Sequence, residues 1–120
     1  MESFTYTIRR VAGGRGHFAR VQVGIAQDGS NPVEVPFDKS KLLPEWIDAA
    51  KSGIEFALHD LERNDRVVIL SIDGSLADTF EDAVFCAAAV ATFRLFDENA
   101  RIELFDGEKW IVTDLGENTS

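Results

Sequence analysis

The first part of the chain alternates apolar and polar residues with a period of two, the pattern of β-strands that have one buried face. Residues 4–9 and residues 18–26 follow this pattern and predict two strands. The side chains predicted to face the core are Phe4, Tyr6 and Ile8 in the first strand and Ala19, Val21, Val23 and Ile25 in the second. The segment Gly13–His17 between them contains three glycines, which admit the positive φ of tight turns. We therefore expect an antiparallel hairpin closed by a glycine loop.

Two further strands are predicted on either side of a helical stretch. Residues 33–37 alternate apolar and polar positions and follow a cluster of turn-forming residues at 27–32. Because Pro36 has no N–H to donate, this strand is expected to lie at a sheet edge or to end there. The almost continuously apolar run Val67–Ile72 predicts a central strand that is covered on at least one face.

Two stretches have the composition and spacing of helices. Residues 44–61 begin with a proline suited to the first helical position and repeat apolar residues at three- and four-residue spacing, namely Ile47, Ala50, Ile54, Leu58 and Leu61. A second helix is predicted to open at Thr79, whose side chain is expected to cap it, and to end before Asp97. Its segment Ala83–Ala91 is apolar nearly all round, so we expect this helix to be buried on more than one side.

The last part of the chain predicts a β-hairpin at residues 101–112, because Asp106-Gly107 is a strong two-residue turn signal. Residues 113–120 are expected to be frayed. The predicted order is β-β-β-α-β-α followed by this hairpin, which is an α+β fold without an internal repeat. A chain of 120 residues fits a single domain over residues 1–120.

The net charge of −9 is unevenly distributed along the chain. Overall acidity opposes non-specific binding to nucleic acid, since neutralisation of phosphates supplies most of that affinity. Residues 1–27, however, hold four arginines against one acid, so this segment alone is net positive and can form a local anion-binding face. The alternative is that the excess of acidic residues is the ordinary charge of a cytosolic protein.

Several features of the sequence favour a cytoplasmic protein outside the membrane. The chain shows no signal-peptide pattern after Met1, and no apolar run approaches the ~20 residues that span a bilayer. Its single cysteine, Cys86, forms no internal disulfide and supports no cysteine metal cluster. Cys86 is expected to be a small buried hydrophobe.

No complete catalytic constellation is present in the sequence, so we expect a protein that is not an enzyme and needs no cofactor or metal. His17 and His59 are predicted to lie on different elements and lack a third ligand pattern. An acidic cluster between residues 73 and 82 could bind a cation or act as a carboxylate pair, but its members are more typical of turns and helix starts: Asp73, Asp78, Glu81 and Asp82.

The positive residues of the first hairpin are the best candidates for ligand contact. Arg9, Arg10, Arg15, His17 and Arg20 could bind phosphate, and Arg15 could do so with a bidentate guanidinium. Strand alternation separates Arg9 from Arg10, so the five residues do not share one face. In the alternative interpretation, Arg15 braces the glycine turn and the other side chains are solvated.

Four stretches of the sequence together resemble domain IV of elongation factor G: GGRGHFARVQV, LPEWIDAAKSGIEFAL, VVILSIDGS and AVFCAAAVATF. Their order and spacing agree with this family across residues 5–96. The resemblance implies a fold similar to the second domain of ribosomal protein S5, with a mixed four-stranded sheet, two helices on one side and a left-handed β-α-β crossover. The GTPase phosphate-binding motif is absent from the sequence, so we expect a stand-alone, diverged relative that binds no nucleotide.

In the family, two loops at the tip of domain IV contact the mRNA–tRNA duplex. The resemblance maps one of them to the glycine loop, where His17 replaces a glutamine typical of the family. It maps the other to residues 74–80, where Ala77 replaces a histidine and the loop is shortened. The candidate residues for contact with RNA or a partner are therefore Arg10, Arg15, Gly16, His17, Arg20, Ser75, Ala77 and Asp78.

Three functional hypotheses remain open at this point. The first is a non-enzymatic, translation-linked protein that binds the ribosome, its RNA or a translation factor through the Gly13–His17 loop. The second is a protein–protein module without a role in translation, which could form a homodimer through the terminal hairpin at Ile102, Leu104 and Trp110. In the alternative that we favour for the hairpin itself, it covers an apolar face of the domain or extends the sheet. The third and weakest is a small enzyme that uses the acidic loop.

Overall fold

The computed structural model describes residues 3–12, 15–25, 44–74, 79–97, 100–105 and 109–115, and it describes side chains for 3–9, 16–25, 44–74 and 79–97. The fold is α+β, as the sequence pattern predicts. In chain order the elements are β1 (Ser3–Ala12), β2 (Arg15–Ile25), α1 (Pro44–Leu61), β3 (Val67–Asp73), α2 (Glu81–Leu95), β4 (Ala100–Phe105) and β5 (Lys109–Leu115).

The first three strands form an antiparallel sheet in the order β1-β2-β3. Pairing of β1 with β2 runs without interruption from Ser3 opposite Gly24 to Ala12 opposite Arg15. The predicted glycine loop is therefore shorter than expected, because Arg15, Gly16 and His17 belong to β2 and only residues 13–14 connect the strands. Those two residues lie outside the described part of the chain.

A bulge interrupts the pairing of β2 with β3 within the apolar run of β3. Gln22 lies opposite Ser71, whereas the next residue, Val23, lies opposite Ile69, so Leu70 is an extra residue in β3. The bulge changes the alternation, and Ile69 and Ile72 both turn to the core although they are three residues apart. Both side chains are buried.

The core lies between this sheet and the two helices. Helix α1 has the predicted bounds, and its buried residues lie on one side: Trp46, Ala50, Gly53, Ile54, Ala57 and Leu58. Helix α2 is buried nearly all round from Ala83 to Phe93. It packs against β1 and β2 on one side, against α1 on another, and beside β4 and β5. The prediction that α2 is buried on more than one side is confirmed.

The start of α2 differs from the prediction. Phe80, in extended conformation, is the N-cap residue and makes no side-chain cap hydrogen bond. Thr79, the predicted cap, instead donates its hydroxyl to the main-chain carbonyl of Phe18 in β2. One N–H group of the first turn has a side-chain acceptor, because Ala83 N–H donates to the carboxylate of Asp82 at 2.9 Å.

The C-terminal hairpin forms a separate two-stranded sheet from β4 and β5. Within the described residues it does not extend the three-stranded sheet; it lies beside α2 instead. Its backbone places Leu104 opposite Trp110, while the side chains of Ile102, Leu104 and Trp110 lie outside the description. Strand β5 continues to Leu115, and Asp114 and Leu115 pair with Arg101 and Ala100, so the strand extends past residue 112, where fraying was expected to begin.

Some predictions fall on parts of the chain that lie outside the described residues: the turn cluster at 27–32, the strand at 33–37, the turn at 106–107 and the tail at 116–120. The described strands of the first sheet number three and are all antiparallel, so a fourth strand and a mixed sheet stay predictions. Neither of the described helices has the combined length and apolarity needed to cross a membrane.

Candidate functional site

The strand register brings two loops to the same end of the three-stranded sheet. Strand β3 begins with Val67 opposite Ile25 and runs antiparallel to β2. It ends with Asp73 opposite Arg20. The chain beyond Asp73 therefore points in the same direction as the connection between β1 and β2. We call this end, marked by residues 12, 15–18, 73–74 and 79–80, the turn end of the sheet.

The ends of the second loop are held together beside β2. Thr79 Oγ1 donates a hydrogen bond of 2.7 Å to the carbonyl oxygen of Phe18. A Cβ atom added at Gly74 would lie 2.7 Å from Thr79 Oγ1, so Gly74 is the residue type that allows this approach. The four residues between them, which include Ser75, Ala77 and Asp78, lie outside the described part of the chain.

At the turn end, the His17 side chain points into the core and not to the surface. Its residue exposure is 2%. The ring lies next to the ring of Phe80, with centroids 6.0 Å apart and an interplanar angle of 57°. His17 thus links β2 to the start of α2. This placement corrects the expectation that His17 belongs to an exposed loop, and any surface contact at this end has to come from its neighbours.

Exposed basic side chains lie on the opposite face of the hairpin, away from the helices. Arg9 is the cross-strand partner of Phe18, and its guanidinium carbon lies 5.4 Å from the centroid of the Phe18 ring. Arg20 donates from Nη1 to Asp73 Oδ2 at 3.1 Å, with side chains that are 41% and 54% exposed. Because both side chains are this exposed, the ion-pair energy is small, and another anion can compete with Asp73 for Arg20.

The remaining predicted contact residues are placed only by their backbone register. Arg10 lies opposite His17, Gly16 lies opposite Val11, and Arg15 lies opposite Ala12 next to the turn. The register thus brings Arg10, Arg15 and Gly16 together at the turn end, while Arg20 lies further along β2. The side chains of Arg10 and Arg15 lie outside the description.

Sequence reasoning missed three residues that shape this end of the sheet. Phe18 was assigned only to the start of a strand, Thr79 to a helix cap and Phe80 to no role. Strand alternation carries a signal for Phe18. Since Ala19 and Val21 face the core, Phe18 is assigned to the outer face. The hydrogen bond of Thr79 joins residues 61 positions apart, and a local sequence pattern does not predict such a contact.

Other chemistry receives no support from the described residues. Among them, no group of three or more histidine, cysteine or acidic residues is arranged to hold a metal ion. Cys86 is buried, and burial raises the pKa of its thiol to about 12, with a smaller contribution from Asp82. A thiol with this pKa stays protonated near neutral pH and is a poor nucleophile.

At the opposite end of the sheet, Arg63 forms a surface ion pair within the segment that follows α1 and also contacts the end of α2. Arg63 Nε donates to Asp65 Oδ1 at 2.7 Å, and this hydrogen bond lowers the pKa of the Asp65 carboxyl. The Arg63 guanidinium also lies 4.2 Å from the centroid of the Phe96 ring, beside the end of α2. These contacts fasten α1 to α2 and lie far from the turn end.

Comparison with known proteins shows the fold but no family. No protein-family model matches the chain, and no curated protein matches its sequence. Solved structures do match, 29 chains among them, so the arrangement is one that other proteins also adopt. A crystal structure of a Thermus thermophilus protein is similar with a TM-score of 0.55 and 14% sequence identity over 77% of this chain.

The same match covers only 15% of the Thermus chain. The similarity is therefore to one part of a much longer protein. At this level of identity it shows the fold and nothing about activity, substrate or partner.

Proposed function

We propose that this chain is a non-enzymatic, translation-linked binding protein that contacts the ribosome, its RNA or a translation factor through the turn end of its sheet. The observation that carries the proposal is the register, because it brings the β1–β2 connection and the loop after β3 to one end. Arg10 and Arg15 belong to the same end by register. Two adjacent loops with neighbouring arginines suit the recognition of a phosphate backbone.

The charge distribution supports binding of a polyanion through the N-terminal hairpin. The whole chain carries −9, whereas residues 1–27 hold four arginines and one acid. A local positive segment on an acidic protein attracts a polyanion to one region and repels it elsewhere. Binding of this kind is oriented and depends on salt.

The resemblance to domain IV of elongation factor G supports the translation link. It assigns the two loops of this chain to the tip loops of that family, and the S5 domain 2-like fold name also rests on it. The Thermus match to one part of a long chain is compatible with a fold that serves as a domain elsewhere. Since His17 is buried and Ala77 replaces the family histidine, the proposed contact uses arginines and differs from that of the family.

Co-sedimentation with purified ribosomes tests the proposal. We expect association at about 50 mM salt that falls steeply by about 200 mM, because counterions are released from each neutralised phosphate. Arg15→Ala should weaken it and reduce the dependence of log affinity on log salt by about one for each lost contact. Arg66→Ala is the matched control, since Arg66 is exposed and directly precedes β3 at the opposite end of the sheet.

The outcomes of this experiment are distinct. Association that is lost with Arg15→Ala and retained with Arg66→Ala supports the proposal. No association at low salt contradicts it. Equal weakening by both variants would mean that net charge, and not the turn end, determines binding.

A protein–protein module is the second candidate, favoured by the separate sheet of β4 and β5. A two-stranded sheet exposes backbone groups that can pair with another strand, including that of a second copy. Light scattering across a range of concentrations tests the homodimer. A monomer mass at all concentrations contradicts that form of the hypothesis.

A further inference from the structure

We propose that the outer face of the β1–β2 hairpin, at Arg9, Phe18 and Arg20, holds an unpaired nucleotide, with its base stacked on Phe18 and its phosphates beside the two arginines. This inference rests on the proposed function and deepens it. It names single-stranded RNA, and not a duplex, as the nucleic acid that this face takes. It also extends the site from the loops of the turn end to the adjoining strand surface.

The first argument is the position of Phe18. Its neighbours in β2, His17 and Ala19, are buried at 2% and 0% exposure on the helix side. Phe18 therefore faces outward, and its side chain is half-buried. Its cross-strand partner Arg9 is exposed and lies over the ring at 5.4 Å. An aromatic ring on a solvent-facing strand is the usual stacking surface for an unpaired base.

The second argument is the charge around that ring. Arg9 is adjacent to Phe18 across the strands, and Arg20 lies two residues along β2 on the same face. The exposed Thr7 is the β1 partner of Arg20, so a hydroxyl lies between the arginine positions. Asp73 is the competing anion, because its carboxylate accepts from Arg20 at 3.1 Å. A phosphate can replace this exposed carboxylate without a change in the fold.

The third argument distinguishes a single strand from a duplex. In a helical duplex the bases are stacked on each other and present only edges, while the backbone presents phosphates. A ring on a strand surface cannot stack with a base that is held in this way. Phe18 therefore adds affinity only for unpaired bases, whereas Arg9 and Arg20 attract both forms of RNA. Arg9 can leave the ring for a phosphate because its side chain is long and exposed.

The test measures fluorescence anisotropy with a labelled RNA of about 12 nucleotides, within the site sizes of single-strand-binding domains, and with the same strand annealed to its complement. Phe18→Leu should weaken single-strand binding about tenfold, since stacking on an aromatic residue contributes roughly this factor per base. Duplex binding by this variant should be unchanged. Phe56→Leu is the matched control, because Phe56 is also half-buried but contacts Phe85 and Phe93 in the helical layer.

Two more variants keep the test informative if Phe18→Leu fails to fold by circular dichroism. Asp73→Asn removes the competing carboxylate and should tighten single-strand binding several-fold. Phe18→Tyr keeps the ring and should leave single-strand binding unchanged. A general loss of stability weakens binding, so it cannot produce the expected gain with Asp73→Asn.

The outcomes separate this inference from the proposed function. Single-strand affinity that is insensitive to Phe18→Leu and to Asp73→Asn overturns the inference. If the protein associates with ribosomes but does not bind the single-stranded oligonucleotide, the inference is also wrong, while the proposed function stands. If neither ribosomes nor RNA bind at low salt, both proposals are wrong.

Discussion

His17 and Phe18 are adjacent in β2, yet their side chains lie in opposite environments. His17 is enclosed between the sheet and Phe80, and Phe18 lies under the guanidinium of Arg9 on the outer face. Strand alternation is the physical cause, because successive side chains leave a strand on opposite sides. The candidate for surface contact is therefore Phe18 and not His17.

Thr79 is the residue that ties the second loop to this strand, and Thr79→Val tests its contribution. Valine keeps the shape but removes the hydroxyl that donates to the Phe18 carbonyl at 2.7 Å. We expect the free energy of unfolding to fall by about 1–2 kcal/mol, because the partly buried carbonyl of Phe18 loses its hydrogen-bond donor. Urea denaturation followed by circular dichroism measures the change.

Thr7→Val is the matched control for that experiment. Thr7 is exposed in β1, so its substitution should change stability by no more than about 0.5 kcal/mol. If both variants are equally stable, the hydrogen bond of Thr79 does not hold the loop.

The residue scale also shows where the sequence was sufficient and where it was not. The alternation that placed Ala19, Val21 and Val23 in the core extends back by one step to His17, so its burial was within reach of the sequence. The three glycines of residues 13–16 instead suggested a long loop. Gly16 nevertheless lies in a strand opposite Val11, and pairing continues on both sides of it, although glycine weakens strand interiors. The Thr79 contact depends on the tertiary fold and was not predictable.

At the scale of elements, the two helices pack so closely that one residue type is required at their contact. A Cβ atom at Gly53 of α1 would collide with the main-chain carbonyl oxygen of Phe85 in α2, and it would lie 3.2 Å from Ala88 Cβ. Alanines along α2 keep the other side of this contact small. The helices can therefore approach each other as two backbones, which explains why α2 is rich in alanine and buried nearly all round.

Gly53→Ala should destabilise the protein although alanine is the better helix former. The propensity gain of about 1 kcal/mol is exceeded by the displacement of a backbone carbonyl, so we expect a net loss of about 1–3 kcal/mol. Thermal and urea unfolding measure the change. Ser52→Ala at the neighbouring exposed position is the control, and it should be neutral or slightly stabilising. An increase in stability for Gly53→Ala would contradict the close packing of α1 and α2.

Elements with a strong local signal were predicted well. The bounds of α1 match the prediction at both ends, since a proline starts the helix and a charged connection follows it. Strand β3 was predicted to within one residue. The bulge at Leu70 was not, because an unbroken apolar run does not reveal which residues share a face. Strands β1 and β2 are longer than predicted, because the glycines near residue 16 favour a loop in the sequence pattern.

At the scale of the whole molecule, α2 is the element around which the other parts are arranged. The sheet lies on one side, α1 lies on another, and the β4–β5 hairpin lies beside it. Two neighbours alone cannot enclose a cylinder, so the hairpin contributes to burying the residues of α2 that are fully inaccessible to solvent. This agrees with the expectation that the terminal hairpin covers an apolar surface.

Removal of the hairpin separates a covering role from an interface between two copies. A variant that ends after Asp97 should expose apolar surface on α2, and each 100 Å² left bare costs about 2.5 kcal/mol. We expect a large fall in the free energy of unfolding and stronger binding of a hydrophobic dye. A variant that lacks only residues 116–120 is the control and should match the full chain, because it retains both strands. If the truncated protein instead keeps its stability while its mass in light scattering falls from dimer to monomer, the hairpin joins two copies and does not cover α2.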